Sequence, residues 1–337
     1  MATSTPPEPS TSFRDWLARR GPPKRGWEKL IEWALLSCGL FSIVITLAIA
    51  SVILFGSFEF FTLKTLREDG PQGAKGQNVA MSGAEMWERF STFCTGTEWT
   101  EESGVYGIWP LLSATLIVTV VAAAVAIPIG LLTATYLSEY ASRRVRSIAK
   151  PTLELLAGIP TVVYGFFAIT VVTPTLAQFI EGLGNPNNLL SGGIVVGIMI
   201  IPMVASLSED ALRAVPRALR DGAIALGANK FETSVRVVIP AALSGVTASF
   251  LLALSRAIGE TMAVTLACGE SPWMTLDPRE GAATMTGFIV HRAMGDVPHF
   301  STDFNSLFAV AAVLFFMTLA MNIIAQKVLQ RYRQVYQ

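Results

Sequence analysis

The sequence predicts an all-α, polytopic membrane protein with six transmembrane helices, and its composition and its long apolar segments both indicate this class. Hydrophobic residues make up 52% of the 337 residues and charged residues only 15%, whereas soluble chains carry about 25% charged residues. The mean hydropathy of +0.50 agrees with a membrane protein. Acidic and basic residues are equal in number, so the net charge gives no reason to expect a nucleic-acid partner.

Six segments are long and apolar enough to span a membrane, because a hydrocarbon core of about 30 Å requires about 20 apolar residues in a helix. The predicted spans are 33–55, 111–137, 151–176, 192–212, 243–268 and 307–325. The fourth contains Pro202 and ends in acidic residues, so we expect it to be short, bent or partly lined by water.

The placement of lysine and arginine predicts the orientation of these spans. The segments on the side of the two termini hold 18 of the 25 basic residues, and basic loops stay in the cytoplasm. Both termini are therefore expected in the cytoplasm. The predicted organisation is a cytoplasmic tail with an interfacial segment (1–32), a first transmembrane helix (33–61), an outer loop (62–109), a five-helix core (110–326) with a cytoplasmic loop at 213–240, and a cytoplasmic tail (327–337).

The three cysteines give no sign of a metal site. Cys38, Cys94 and Cys268 show no CxxC spacing and do not cluster with the two histidines, which argues against zinc binding and against a disulfide framework. A Cys94–Cys268 pair outside the membrane stays open as an alternative.

The predicted cytoplasmic loop contains a segment with the properties of a helix that docks on another protein. Its sequence is RDGAIALGANKFETSVRVVIP, residues 220–240. Small side chains permit close approach, a glycine permits a turn with φ > 0, and an acid supplies a charge that fixes the register. We predict a helix over 216–226; an ordinary basic helical hairpin is the alternative. The predicted partner-binding residues are Asp221, Gly222, Ala223, Leu226 and Gly227.

The same segment does not have the residues of a nucleotide site. Two of its glycines stand at P-loop spacing, but Ala228 and Asn229 occupy the places where lysine and serine or threonine are required. The segment is therefore not expected to bind a nucleotide itself.

Two ionisable residues stand near the middle of the fifth predicted span. Arg256 and Glu260 each cost at least about 2.5 to 3.5 kcal/mol to insert, so each requires a reason. Their spacing predicts a pair on one face of a single helix, continued toward the cytoplasm by Ser249 and Ala253. In the functional interpretation Arg256 meets a translocating anion, because its planar donors match oxyanions, and Glu260 holds the guanidinium when substrate is absent. A structural ion pair is the alternative.

Other acids and several helix breakers also lie at membrane depth. The acids are expected to pair with nearby arginines rather than to bind ions: Glu154, Glu209 and Asp210, with Arg213 and Arg217 among the partners. The candidate kinks are Pro128 with Gly130, Gly158 with Pro160, Pro202, and Gly259. A GxxxG pair, Gly193 and Gly197, predicts close helix packing.

Three runs of sequence together resemble the permease subunits of phosphate ABC importers of the PstC type. They are GIPTVVYGFF (158–167), SRAIGETMAV (255–264), and the 220–240 segment, which resembles the EAA coupling loop. The resemblance covers about residue 109 to the carboxyl terminus. It implies the MetI-like transmembrane fold of type I ABC importers.

This resemblance implies a transport subunit rather than an enzyme, located in the bacterial inner membrane. It implies a PstA-like paralogous permease, a dimeric ATPase that holds ATP and magnesium, and an extracytoplasmic phosphate-binding protein as partners. The chain itself would bind no cofactor, and Arg256 and Glu260 would serve phosphate passage. Contact with a regulatory histidine kinase is a further implied partnership.

Four other functions fit part of the sequence. A permease for another oxyanion, such as phosphonate, sulfate or molybdate, shares the coupling loop. A secondary transporter fits the six spans but has no use for that loop, and a membrane scaffold that senses phosphate status is harder to separate from a permease. An intramembrane enzyme requires paired aspartates, HExxH or a Ser-His constellation within the spans, and the sequence has none there.

Overall fold

The structure is a computed structural model that describes residues 25–66, 77–100, 103–295 and 301–332. Most of the predicted amino-terminal tail and the end of the carboxyl-terminal tail lie outside the described residues. The described chain is overwhelmingly helical, which confirms the all-α class.

The helices are α1 (Arg25–Thr62), α2 (Gly83–Thr95), α3 (Trp109–Thr135), α4 (Arg143–Leu156), α5 (Thr161–Phe167), α6 (Thr173–Ala177), α7 (Leu189–Arg213), α8 (Arg217–Ala225), α9 (Lys230–Thr233), α10 (Ile239–Ala241), α11 (Leu243–Ile258), α12 (Met262–Cys268), α13 (Met285–Met294) and α14 (Thr302–Tyr332). Three π-helical turns, Tyr136–Tyr140, Ala168–Val172 and Ser234–Val238, follow α3, α5 and α9. Two antiparallel pairs join β1 (Leu63–Leu66) to β2 (Gln77–Ala80) and β3 (Trp99–Thr100) to β4 (Val105–Tyr106).

Four of the described helices are each long and apolar enough to cross a membrane, and the number rises to six if each of two bent helix pairs forms one span. The four are Lys29–Thr62, Trp109–Tyr140, Leu189–Arg213 and Thr302–Val328. They coincide with the first, second, fourth and sixth predicted spans and extend beyond them. The fourth is a helix of 25 residues that continues through Pro202, so the expectation of a short span is wrong.

The third and fifth predicted spans are not single helices, which corrects the prediction. In the third, Arg143–Leu156 and Thr161–Ala177 differ in direction by 84°. The fifth is interrupted between Ile258, where α11 ends, and Met262, where α12 begins. A further bend of 71° separates Lys230–Ala241 from Leu243–Ile258, just before the fifth predicted span. Pro160 lies at the 84° bend and Pro240 lies shortly before the 71° bend. Proline lacks an N–H and crowds the preceding residue and turn, and near these two prolines the chain changes direction, whereas α7 continues through Pro202.

α3 and α7 pack closely along their small residues. A Cβ added at Gly193 would lie 2.6 Å from Cβ of Val121, and one added at Gly197 would lie 2.9 Å from Cβ of Val125. Only glycine permits these approaches, so the close packing predicted from the GxxxG pair is confirmed. The contact belongs to a buried apolar cluster that α11 and α12 complete.

The 62–109 segment is folded around aromatic side chains. The rings of Phe60 and Trp99 each meet the ring of Tyr106 edge-on, with 5.4 Å between the ring centroids in both pairs. The Tyr106 hydroxyl donates to the carboxylate of Asp303 in the first turn of α14. Burial and this carboxylate raise the pKa of Tyr106 above its usual range. The bond therefore fixes the segment to α14 through a protonated hydroxyl.

Candidate functional site

The fifth predicted span breaks where its two charged residues lie. α11 ends at Ile258 and α12 begins at Met262. Gly259 follows the end of α11, and Glu260 lies between the two helices. The predicted pair on one helical face is therefore wrong, because Arg256 is in the helix and Glu260 is not. In the part of the chain that the structure describes, the two side chains form no ion pair.

Glu260 is directed at the helix that follows it. Glu260 is only 8% exposed, and its Oε1 accepts a hydrogen bond from the backbone N–H of Ala263 at 3.4 Å. Thr261, which precedes α12, makes no side-chain cap. The Glu260 carboxylate caps the helix instead, because it accepts a hydrogen bond from an N–H that the first turn of a helix leaves without a partner. Its backbone carbonyl accepts from Oγ1 of Thr286 at 2.6 Å, which joins the break to α13.

Arg256 lies on the surface of the chain beside this break. Its side chain is exposed, and no ion pair is formed by it within the described ranges. The neighbouring Ser255 donates to Oδ1 of Asn322 on α14 at 3.2 Å. A charge at membrane depth faces protein or water rather than lipid, so this polar face is a candidate wall of a passage. Sequence analysis missed Asn322, although a lone amide in an apolar span is a signal.

The predicted partner-binding helix is present as α8. Its bounds, Arg217–Ala225, fall one residue inside the predicted range at each end. Gly227 has a φ of +90°, which confirms the predicted turn. Asn229 and Glu232 then form a capping box that begins α9. The segment is thus the helix-turn-helix expected from the sequence.

One side of this helix-turn-helix is exposed in the part of the chain that the structure describes. Asp221 and Gly222 are exposed, Ala223 is half-buried, and Leu226 is 91% exposed. A Cβ added at Gly222 would meet no atom within 4 Å, so this chain's own fold does not require glycine there. A small residue beside an exposed apolar one is a suitable surface for a partner protein.

Sequence analysis missed the residue that attaches α8 to the long helices. Nη2 and Nε of Arg220 lie 3.0 and 3.3 Å from the Glu139 carboxylate, in the π-helical turn after α3. The same guanidinium donates to the carbonyl oxygens of Val215 at 2.5 Å and Leu212 at 2.8 Å. The two charged residues are 81 positions apart, so local spacing gave no signal for their contact.

A second ion cluster joins α4 to α7. Its members are Arg146, Lys150, Glu209, Asp210 and Arg213. Glu209 is fully buried and pairs with Arg146 and, at 3.0 Å, with Lys150. Pairing of Glu209 with cations is thus confirmed, although its nearest partners come from α4. Two residues expected to take part, Glu154 and Arg217, form no ion pair among the described residues.

The candidate kinks divide into two groups. Gly158 and Pro160 lie at the 84° bend between α4 and α5, and Gly259 lies at the break after α11. Pro128 and Pro202 instead lie inside α3 and α7, which continue as helices around them. The first group therefore lies where the chain bends or a helix ends, and the second does not interrupt its helix.

Residues 126–334 match the model of the family described as binding-protein-dependent transport system inner membrane component. This match covers more than half of the chain. The chain belongs to this family. It is therefore a multi-pass inner-membrane permease component of an ABC transporter, and it is not itself the catalytic subunit.

Relatives of the permease agree with this family. It is 35% identical over 249 residues to the probable ABC transporter permease protein YqgH of Bacillus subtilis, covering 73% of this chain and 79% of that one. It is 30% identical over 270 residues to the phosphate transport system permease protein PstC of Mesorhizobium japonicum, covering 74% and 82%.

The fold of the permease also matches a solved structure. A chain in the crystal structure of a bacterial ABC transporter involved in the import of the acidic polysaccharide alginate superimposes with a TM-score of 0.57 at 15% identity, covering 93% of this chain and 100% of that one. This likeness confirms the predicted type I importer permease fold.

Proposed function

We propose that this permease conducts inorganic phosphate into the cytoplasm, driven by a separate ATPase that contacts α8. The observation that carries the proposal is the exposed guanidinium of Arg256 beside the break after α11. A phosphate offers a negative charge and pairs of acceptor oxygens that match the donors of arginine. The likeness to permeases named for phosphate transport supports phosphate as the oxyanion.

Glu260 serves the same site as a positioning residue. Its carboxylate accepts from the N–H of Ala263 and so fixes the start of α12 directly after the break. Because the carboxylate is occupied there, Arg256 keeps its donors for the substrate. Release does not require Glu260 to compete for the guanidinium.

The energy enters through the segment around α8. Asp221, Gly222, Ala223, Leu226 and Gly227 form the proposed contact with the ATPase, which binds ATP and magnesium. The exposed Leu226 is the apolar anchor of this contact. Nucleotide-driven closure of the ATPase would move α8 and the helices attached to it.

The complete importer contains further subunits. The exposed face of Arg256 requires a second wall, which a PstA-like permease would supply. A phosphate-binding protein would deliver substrate from outside, and both termini of this chain would lie in the cytoplasm with α8, as the distribution of lysine and arginine predicts.

Uptake by the assembled importer in proteoliposomes tests this function. The binding protein is added outside the proteoliposomes together with radiolabelled phosphate, sulfate or a phosphonate. ATP is enclosed in the lumen, on the side of the ATPase. We expect ATP-dependent accumulation of phosphate alone. Accumulation of another oxyanion in its place would reject phosphate as the substrate, and accumulation without the ATPase would reject the importer mechanism.

Arg256→Gln tests the site itself. We expect phosphate uptake to fall about 10- to 150-fold, because hydrogen bonds to a charged group are each worth about 1.5 to 3 kcal/mol, while the second permease and the ATPase still copurify. Arg144→Gln is the control, since Arg144 is an exposed arginine of α4 outside the proposed site. Normal uptake by Arg256→Gln would reduce Arg256 to a structural residue.

A further inference from the structure

The helix proposed to contact the ATPase is short and needs a rigid attachment to transmit motion. α8 has nine residues, and an isolated helix of this length is not stable in water. Its outward side is exposed, so its contacts with this chain come from the other side. We infer that Arg220 is the positioning residue that makes α8 move as one body with α3 and α7. This inference rests on the proposed function of α8.

One guanidinium joins three elements. Nε and Nη2 of Arg220 together reach both oxygens of Glu139, in the π-helical turn that follows α3. Nη1 reaches the carbonyl of Val215, and Nη2 also reaches that of Leu212. Leu212 lies in the last turn of α7 and Val215 follows the end of that helix, and the carbonyl groups at a helix C-terminus favour a cation. Every nitrogen of the guanidinium is therefore engaged.

Arg220 lies behind the exposed surface rather than on it. Its side chain is 17% exposed and that of Glu139 is 13% exposed, whereas the next residue, Asp221, is exposed. Consecutive positions thus have separate tasks, with Asp221 turned to the partner and Arg220 turned to the long helices. Arg220 acts on the ATPase only through the helix that carries it.

The elements held by Arg220 lead to the proposed substrate site. α3 and α7 are locked together by the close approach at Gly193 and Gly197, so they shift as a unit. Ser208 of α7 and Ser249 of α11 share a buried hydrogen bond of 2.6 Å, and α11 carries Arg256. A displacement of α8 held by Arg220 is therefore passed through packed helices to the break beside Arg256.

Arginine is required at this position for geometric reasons. Its five N–H groups lie in one plane and form a fork, whereas the ammonium of lysine is a compact point charge. Lysine keeps the charge toward Glu139 but does not reach both carbonyl oxygens at once. Arg220→Lys is therefore expected to retain part of the coupling, and Arg220→Gln to lose it.

The experiment measures coupling in the whole importer with its ATPase, second permease and binding protein. ATP hydrolysis is compared with and without phosphate-loaded binding protein. In Arg220→Gln we expect this stimulation of ATP hydrolysis to decrease by about 5- to 150-fold, the range that typical coupling energies give. Basal hydrolysis and copurification of the ATPase should be unchanged. Arg220→Lys should lie between this variant and the unaltered protein, and Arg144→Gln should match the unaltered protein.

A double variant tests whether the pair acts as a unit. If it does, Glu139→Gln reproduces the loss, and Arg220→Gln with Glu139→Gln together is no worse than either alone. Losses that multiply in the double variant would contradict the shared joint. Full stimulation in Arg220→Gln would also contradict the inference. Release of the ATPase from that variant would contradict it too, because Arg220 would then be a docking residue.

A crosslink separates this inference from the proposed function. Leu226→Cys is paired with single cysteines placed on the ATPase in an otherwise unaltered importer. If no position on the ATPase crosslinked to Leu226→Cys, the proposed contact between α8 and the ATPase would be rejected. A crosslink that forms equally with and without Arg220→Gln, together with normal stimulation in that variant, would overturn only the role of Arg220.

Discussion

Two glycines of the partner-binding segment serve different needs. Gly227 has a φ of +90°, where other residues cost about 1–2 kcal/mol, whereas Gly222 is helical with open space around it. We expect Gly227→Ala to lower the free energy of unfolding of the purified permease by about 1–2 kcal/mol and Gly222→Ala to raise it by up to about 1 kcal/mol. Thermal unfolding in detergent measures both.

Copurification of the ATPase separates folding from docking in the same two variants. Gly222→Ala should retain less ATPase although the permease is more stable, because the added methyl group would lie in the proposed contact and meets no described atom of this chain within 4 Å. If Gly222→Ala retained as much ATPase as the unaltered permease, Gly222 would not lie in the contact.

The charged residues of the fifth span show what the sequence predicts at this scale. The sequence predicted that Arg256 and Glu260 have a role, because a charge is costly to insert into the membrane. The structure places Arg256 on an exposed face. Their pairing did not follow, because the i,i+4 rule assumes a continuous helix. Gly259 and the cap made by Glu260 end one helix and start another, and the carboxylate finds a backbone N–H instead of the guanidinium.

At the scale of elements, apolar length predicted where the chain crosses the membrane but not where it bends. The four continuous helices coincide with predicted spans, since hydrocarbon thickness sets their length. The third span bends at Gly158 and Pro160, which the sequence indicated. The 71° bend after α10 was not predicted, because Pro240 was considered only as part of the coupling loop.

The packing of α3 on α7 gives a prediction at this scale. Gly197 leaves only 2.9 Å between an added Cβ and Val125, whereas an added Cβ at Gly39 of α1 meets nothing within 4 Å. We expect Gly197→Ala to lower the free energy of unfolding by about 1–3 kcal/mol through overpacking. Gly39→Ala replaces a glycine that is unfavourable in a helix and causes no clash, so it should not lower the free energy of unfolding. Thermal unfolding of both variants in detergent checks this, and equal stabilities would contradict the close packing.

At the scale of the whole molecule, contacts between distant residues decide how the helices are tied together. Glu209 pairs with residues of α4 that are about 60 positions away, and Arg220 pairs with Glu139 across 81. The sequence predicted that acids at membrane depth would meet cations. It named Arg213, which lies 3.9 Å from the Glu209 carboxylate, but not Arg146 or Lys150, because those two partners are brought to Glu209 by the fold and not by helical spacing.

Glu209 and Asp210 provide a matched test of this tie, because they are adjacent and differ in burial. The Glu209 side chain is 0% exposed and that of Asp210 is 58% exposed. Removing one partner of a buried ion pair costs about 3–5 kcal/mol, whereas an exposed pair contributes about 0–1 kcal/mol. Glu209→Gln should therefore sharply lower the unfolding temperature and Asp210→Asn should scarcely change it. Similar losses in the two variants would contradict the burial of Glu209.

The orientation of the whole chain can be read from cysteine labelling. Cys94 and Cys268 are both free, and Cys94 is exposed while Cys268 is buried, so the alternative disulfide between them is not formed. In right-side-out membrane vesicles, an impermeant maleimide should label Cys94, and Cys94→Ser should abolish that labelling. Cys38 lies within the first span, where a thiol does not meet water.

Leu226→Cys in the Cys94→Ser background then reports the opposite side. In vesicles that contain the permease without its ATPase, this 91% exposed position should react only after the vesicles are opened, because the basic loops predict a cytoplasmic location. Labelling of sealed vesicles at this position would place α8 outside, where no ATP is supplied, and the proposed contact with the ATPase would be impossible. The result thus decides, for the intact molecule, whether α8 is on the side from which its motion has to be driven.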